Sequence, residues 1–262
     1  GKSASKPSDP SKSRYDFIKW VTAKDGNDEY GFGNVTDTTD VYASWKLITY
    51  PVTITPKKDG VKWENSGKTY RLSADGATFI TDLANVPIGL YDVYEGETNT
   101  GVEVDVADAN AKVDVLYYTV TFYDGDTAYT EGGLKPQVIL NGKKPVKPSD
   151  PSKSRYDFIK WVTAKDGDNE YGFGEVTDTT DVYASWELIT YPVTITPKKD
   201  GVKWENSGKT YRLSADGTKF TTDLENVPIG QYDIYEENTK TGFSVDVVDG
   251  EATADVLYYT VE

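Results

Sequence analysis

The chain of 262 residues contains no Cys, His or Met, which excludes disulfide bonds, thiolate or imidazole catalysis and a Cys/His zinc site. Its net charge of −15, from 43 acidic and 28 basic residues, disfavours nucleic acid as a partner, because a phosphate backbone attracts clustered Lys and Arg. No apolar run approaches the roughly 18 residues that a membrane helix needs, so we expect no membrane insertion. The absence of Met leads us to expect a piece of a longer or processed protein.

The composition is typical of strands rather than helices. The chain has 20 Tyr and 6 Trp, with abundant Thr and Val, and Gly and Pro interrupt it at short intervals. Apolar residues with a helical period are hard to find. These features predict a mainly all-β protein.

A long internal repeat sets the organisation. Residues 6–120 and 147–261 align without a gap at an offset of 141 and differ at 20 of 115 positions. This period is too long for one solenoid unit, so it indicates an elongated tandem array whose unit contains two small domains. We predict four modules, which are 1–45, 46–117, 118–186 and 187–262.

In the first module, Tyr15, Phe17 and Val21 alternate along one predicted strand, and Val41–Trp45 forms a second. Core packing is the favoured role for Trp20 and Trp45, and a sugar-stacking platform is the alternative.

The module at 118–186 repeats these features and resembles the Listeria–Bacteroides repeat, or internalin B-repeat. The residues that carry the resemblance are Thr119–Phe122, Pro148, Pro151, Tyr156, Phe158, Trp161, Tyr183 and Trp186. The chain departs from the family pattern at Arg155, Lys160 and Val182. The resemblance implies a β-grasp-like fold and a place in bacterial surface proteins, and it extends in part to residues 1–45.

The module at 46–117 contains about seven short runs at the spacing of a β-sandwich. The predicted strands are 50–55, 61–63, 68–73, 78–81, 90–95, 102–106 and 111–117. The run 85–95, repeated at 226–236, resembles the Pro-x-Gly-x-Tyr strand of CnaB-type, transthyretin-like surface domains.

The CnaB resemblance implies the hypothesis of an intramolecular isopeptide bond. Its candidate residues are Lys58, Glu95 and Asp114. Their counterparts in the second copy are Lys199, Glu236 and Asp255. Such a bond needs Lys and an acyl group to face each other in a dry core beside a protonated Glu. Asp114 points away from Val113 and Val115 if those face the core, so solvated charges are the favoured interpretation.

A calcium site is a second hypothesis, since Asp residues recur in the loops at Asp25, Asp28, Asp166 and Asp168. The Asp-x-Asp-x-Asp-Gly pattern is absent, and turn formation is the favoured role. We predict no catalytic residue, no cofactor and no enzymatic activity.

The predicted function is that of a stalk or fibre segment in an adhesin-like protein of the bacterial cell surface, with neighbouring repeats as partners. The alternative is direct binding of a host glycan or protein at exposed Trp63 and Trp204, with avidity from repetition.

The first module differs from its second copy in one respect. The hairpin that begins at Val120 and continues to Leu140 has no counterpart before residues 1–45. We therefore expect an open sheet edge there, which a preceding repeat or a strand from another subunit would fill.

Overall fold

The structure is a computed structural model that describes residues 2–109 and 111–261. Strands β1 to β12 are Lys2–Ser3, Tyr15–Val21, Asn34–Val35, Tyr42–Leu47, Thr49–Tyr50, Val52–Lys58, Val61–Lys62, Tyr70–Ser73, Val86–Pro87, Gly89–Glu95, Thr98–Val106 and Ala111–Asp124. Strands β13 to β24 are Thr127–Ala128, Gln137–Leu140, Tyr156–Val162, Thr180–Leu188, Thr190–Tyr191, Val193–Lys199, Val202–Lys203, Tyr211–Ser214, Val227–Pro228, Gly230–Glu236, Thr239–Val247 and Ala252–Tyr258.

The only helical element among these residues is a single 3₁₀ turn, Gly132–Leu134. The all-β prediction is therefore confirmed. In the part of the chain that the structure describes, no helix has the length and apolar character needed to cross a membrane.

The chain divides into two compact units. The first consists of 1–120, 136–146 and 173–180, and the second of 121–135, 147–172 and 181–262. Strands β4, β12 and β16 each continue across one of the predicted module boundaries at 45, 117 and 186. The division into four modules stays a prediction.

The first unit contains two sheets that face one core, one of three strands and one to which β6, β7, β12 and β14 belong. In one sheet, β6 lies between β7 and β12, and in the other, β10 lies between β8 and β11. The buried residues that both sheets contribute include Val52, Leu72, Val93, Val104 and Val115. The alternation of Val, Ile and Tyr along these strands places one face of each sheet in the core.

The second unit repeats this arrangement with β19, β18 and β24 in one sheet and β20, β22 and β23 in the other. Its core includes Val193, Leu213, Ile234, Val247 and Val256.

One predicted strand of the first unit is wrong in detail. Residues 78–81 form only an isolated bridge from Ile80 to Leu72, because the Asp75 carboxylate accepts the Ala77 and Thr78 N–H groups and holds these residues in a bend.

The aromatic-rich strand pairs are β2 with β4 and β15 with β16, and both are antiparallel. Each has a bulge, at Ile18 and at Ile159, where the register shifts by one residue. The bulge allows Phe17 to contact Trp20 and Phe158 to contact Trp161, with ring centroids 5.5 and 5.3 Å apart. Simple alternation would have placed these rings on opposite faces.

Candidate functional site

The first and last long strands of each sandwich lie side by side and run parallel. In the first unit, seven residue pairs join β6 to β12, from Val52–Ala111 to Lys58–Tyr117. In the second unit, seven pairs join β18 to β24, from Val193–Ala252 to Lys199–Tyr258. We call each of these the terminal strand pair. In this pair, the strand that begins a sandwich is hydrogen-bonded directly to the strand that ends it.

A cross-strand ion pair lies on the outer face of each terminal strand pair. Lys57 Nζ is 2.5 Å from a carboxylate oxygen of Asp114, and Lys198 makes the same contact with Asp255. All four side chains are partly exposed, so each pair contributes modestly to the free energy of folding.

The turn after β6 fastens the far end of the same pair. The Asp59 backbone N–H donates to Tyr117 O at 2.9 Å, and its carboxylate accepts the Thr119 N–H at 2.7 Å and the Thr119 hydroxyl at 2.6 Å. The Thr179 hydroxyl donates to the same carboxylate at 2.9 Å. Asp59 has a φ of 51° and Gly60 one of 80°, a tight turn that aims the carboxylate at the strand.

Asp200 repeats this contact in the second unit. Its carboxylate accepts the Thr260 N–H at 2.9 Å and the Thr260 hydroxyl at 2.6 Å. These hydrogen bonds lower the pKa of Asp200. Partial burial raises the pKa of Asp59, but the hydrogen bonds from Thr119 and Thr179 and the charge of Lys58 outweigh burial, so its pKa also lies below the usual value.

A polar network lies at the same end of the terminal strand pair, around Tyr117. Glu95 accepts from Lys68 Nζ at 2.5 Å and from the Tyr117 hydroxyl at 2.7 Å, and the Tyr70 and Tyr117 hydroxyls are 3.1 Å apart. Lys209, Glu236, Tyr258 and Tyr211 reproduce these three distances in the second unit. The network therefore ties the last strand to the opposite sheet in both copies.

Burial, the hydrogen bonds to Tyr70 and Glu95 and their charges raise the pKa of Tyr117 far above its usual range. In the second copy, hydrogen bonds from Lys209 and Tyr258 lower the pKa of Glu236. Both effects favour a neutral phenol that donates to an ionised carboxylate. The arrangement is a satisfied network and not a proton-transfer site.

The structure does not bring the isopeptide candidates together. Lys58 lies 5.7 Å from the centroid of the Trp63 ring, Asp114 pairs with Lys57, and Glu95 pairs with Lys68. In the second copy, the corresponding partners are Trp204 for Lys199, Lys198 for Asp255 and Lys209 for Glu236.

The calcium candidates lie in turns. Asp25 and Asp166 have φ values of 60° and 56°, and the backbone oxygens of Asp28 and Asp168 accept from the Thr22 N–H and from Lys160 Nζ. Among residues 2–109 and 111–261, no three acidic side chains converge on a point where a metal ion could bind.

The candidate ligand aromatics are half-buried. Trp63 packs edge-on against Tyr117 and has the ammonium groups of Lys58 and Lys68 within 6 Å of its ring. Trp204 has the equivalent neighbours, and it also lines a pocket of about 780 Å³ with Ile195 and Leu224. Neither indole is a fully exposed platform.

Sequence reasoning missed Lys68, Tyr117, Asp59 and Thr119. The two threonines that follow the last strands, Thr119 and Thr260, each lie 60 residues after the turn Asp that binds them. That constant spacing, together with the Asp-Gly turn, is a signal that could have identified the contact.

A match to a known protein family covers both copies of the aromatic-rich repeat. The family model of the Listeria-Bacteroides repeat domain matches residues 1–44 and 118–185. This match confirms the predicted repeat in those two stretches, while the CnaB-like character of the remaining residues stays a prediction. A comparison with curated proteins gave no significant match.

One solved structure with a significant match is described as the Bacillus anthracis TIE protein. The two sequences are 14% identical, the TM-score is 0.27, and the match covers 85% of this chain and 54% of that one. The chain thus spans about half the length of that protein.

Proposed function

We propose that this chain is a non-enzymatic segment of a bacterial cell-surface repeat protein, which carries mechanical tension and spaces or projects a binding domain outside the cell. The proposal is supported by the match to the Listeria-Bacteroides repeat, a family typical of extracellular bacterial surface proteins. The observation that carries it is the parallel terminal strand pair of both sandwiches.

The direction of the strands decides how tension acts on a sandwich. Tension enters β6 at Val52, where that strand begins, and leaves β12 beyond Tyr117, after the last paired residue. Because the two strands are parallel, these points lie at opposite ends of the pair, and tension slides one strand along the other. The hydrogen bonds of the ladder are then loaded together and not one after another.

The side-chain contacts oppose the same sliding motion. The ion pair between Lys57 and Asp114 crosses the two strands, and the Asp59 carboxylate holds Thr119 at the point where tension leaves the pair. Tyr117 is anchored to Glu95 on the other sheet. The second unit has the same three contacts.

Single-molecule force spectroscopy tests the proposal. The chain has no Cys, so cysteines placed at its ends are unique attachment points. We expect pulling from the ends to give two high-force unfolding events, one for each sandwich. The matched control attaches the handles at Thr53→Cys and Lys112→Cys, which are paired neighbours at the same end of the ladder.

Pulling through those handles peels the pairs apart in succession, and we expect a clearly lower force. End-to-end unfolding at forces no higher than the peeling force would contradict a role in carrying tension.

Direct binding of a glycan or protein is the second candidate, favoured by the pocket beside Trp204. A glycan array probed with the whole chain, and with Trp204→Ala as the control, would detect it. Binding that Trp204→Ala abolishes would support this second function.

A further inference from the structure

The second repeat copy holds a hairpin against its strand pair. The hairpin, residues 121–135, consists of the end of β12 and of β13, which pair at Tyr123–Ala128 and Asp124–Thr127. Its Phe122 is fully buried, and the Phe122 ring lies 5.1 Å from that of Trp161. Tyr129 approaches the same indole at 6.2 Å. The hairpin therefore completes the aromatic core around Trp161.

Polar groups fix the hairpin at its turn. Asp124 accepts from Trp186 Nε1 at 3.0 Å and from Lys153 Nζ at 2.9 Å. Asp126 accepts from Lys165 Nζ at 2.6 Å. Two acidic side chains of the hairpin thus meet two lysines and an indole N–H of the strand pair.

Stacking and strand pairing add to these contacts. The Tyr123 ring stacks on that of Tyr183 at 5.2 Å, and β16 is hydrogen-bonded to β12 along the edge opposite β15. We call Lys153, Trp161, Lys165, Tyr183 and Trp186 the receiving face.

The first copy retains every residue of the receiving face. At an offset of 141, the five residues correspond to Lys12, Trp20, Lys24, Tyr42 and Trp45, without one substitution. No hairpin lies against them among residues 2–109 and 111–261, where β2 and β4 form a sheet of two strands.

The second strand of the pair is shorter in the first copy, which lacks the hairpin. Strand β4 covers Tyr42–Leu47, whereas β16 begins earlier, at Thr180, although Thr39-Asp40-Val41 and Thr180-Asp181-Val182 are identical. Val182 is fully buried and Val41 is half-buried. Trp161 is 2% exposed and Trp20 is half-buried. The first copy therefore presents an open strand edge beside a partly uncovered indole.

We infer that the receiving face of the first copy binds the hairpin of a further repeat of the same kind, outside the described chain. The hairpin adds to the free edge of β4 and buries a Phe against Trp20. The acid equivalent to Asp124 accepts hydrogen bonds from Lys12 and Trp45. The acid equivalent to Asp126 pairs with Lys24. The inference depends on residues 12–47 alone, and it stands whether or not the chain bears load.

A labelled peptide with the sequence of residues 118–135 tests the inference against the whole chain by fluorescence anisotropy. We expect saturable binding of one peptide per chain. The peptide variant Asp124→Asn should bind about tenfold more weakly. The chain variant Lys12→Ala, at an exposed position, should lose a similar factor, and the two changes combined should cost less than their product.

Lys153→Ala in the second copy is the matched control, and it should leave the affinity for the peptide unchanged. An isolated hairpin is only marginally ordered in water, so a covalent version removes that cost. In this version, the sequence of residues 113–141 is fused ahead of Gly1. We expect the fusion to extend protection from hydrogen exchange to Thr39–Leu47, and a fusion carrying Phe122→Ser and Asp124→Asn in the added segment should not.

Several outcomes would overturn the inference. They are no binding at about 1 mM peptide together with no added protection in the fusion, or binding that is insensitive to Asp124→Asn and Lys12→Ala. A concentration-dependent dimer of the unmodified chain, held by the same face, would instead assign the face to a second copy.

Discussion

The strand pairs at 12–47 and 153–188 have nearly the same sequence but different neighbours. Both form two antiparallel strands with a bulge at the same position and the same Phe–Trp contacts. They differ in the length of the second strand and in the burial of Val and Trp. Local sequence therefore determines the bulged pair, whereas a third strand determines how far the pair extends and how dry its core becomes.

The two sandwiches provide the opposite case. Their sequences diverge more, yet the distances in the Lys–Glu–Tyr–Tyr network agree in both copies. Each sandwich contains all the strands that its network requires. The contrast indicates that the presence of all neighbouring strands affects the structure of each copy more than the few sequence differences between the copies.

Replacing the central indole should give the largest difference in free energy of unfolding between the two copies. We expect Trp161→Ala to lower the free energy of unfolding by about 3–5 kcal/mol, since it removes a fully buried side chain that touches Phe122, Phe158 and Tyr129. Trp20→Ala should cost only about 1–2 kcal/mol, because that indole is already partly exposed. Urea denaturation of the two variants measures both, and equal losses would contradict the difference in burial.

The polar contacts of the hairpin give an intermediate effect. Asp124→Asn weakens the hydrogen bond from Trp186 and the ion pair with Lys153, and we expect a loss of about 1–3 kcal/mol. Asp126→Asn is the control. Its side chain is 85% exposed, so loss of the Lys165 contact should cost less than about 1 kcal/mol. If the control proves as costly as Asp124→Asn, the polar contacts do not fix the hairpin in the way described.

The smallest expected effect concerns pH. The lowered pKa values of Asp59 and Asp200 stabilise the folded state above about pH 4, and this contribution is lost as pH falls through the folded-state pKa. Asp59→Asn and Asp200→Asn should each flatten the loss of stability between pH 7 and acidic pH. Asp59→Asn should have the larger effect, because only Asp59 also binds Thr179. Urea midpoints recorded from pH 7 down to about pH 2 provide the measurement, and curves parallel to that of the unmodified chain would exclude a role for these carboxylates.

Much of the architecture could be predicted from the sequence. Alternation of β-branched and aromatic residues, with Gly and Pro between the runs, identified most strands and the all-β class. Thr78–Thr81 was predicted as a strand because its residues favour strands, but the turn at Asp75, whose carboxylate accepts the Ala77 and Thr78 N–H groups, limits it to a bridge.

The contacts in the candidate site were less accessible. Alternation alone cannot detect the bulge at Ile18, which brings Trp20 to the same face as Phe17. The isopeptide hypothesis used the position of Lys58 along its strand, whereas Glu95 is reached by Lys68 from a loop without regular periodicity. Side chains from loops require coordinates, because no strand period fixes their direction.

Hydrogen exchange on the unmodified chain tests the central claim, that the first copy presents a receiving face without its hairpin. The segments Tyr15–Val21 and Tyr156–Val162 have the same sequence, so their intrinsic exchange rates are equal. We expect Tyr15–Val21 and the adjoining strand Tyr42–Leu47 to exchange far faster than their counterparts, since local opening is easier without the third strand. Equal protection of the two copies in dilute solution would contradict the claim and would show that the hairpin adds nothing to the stability of its strand pair.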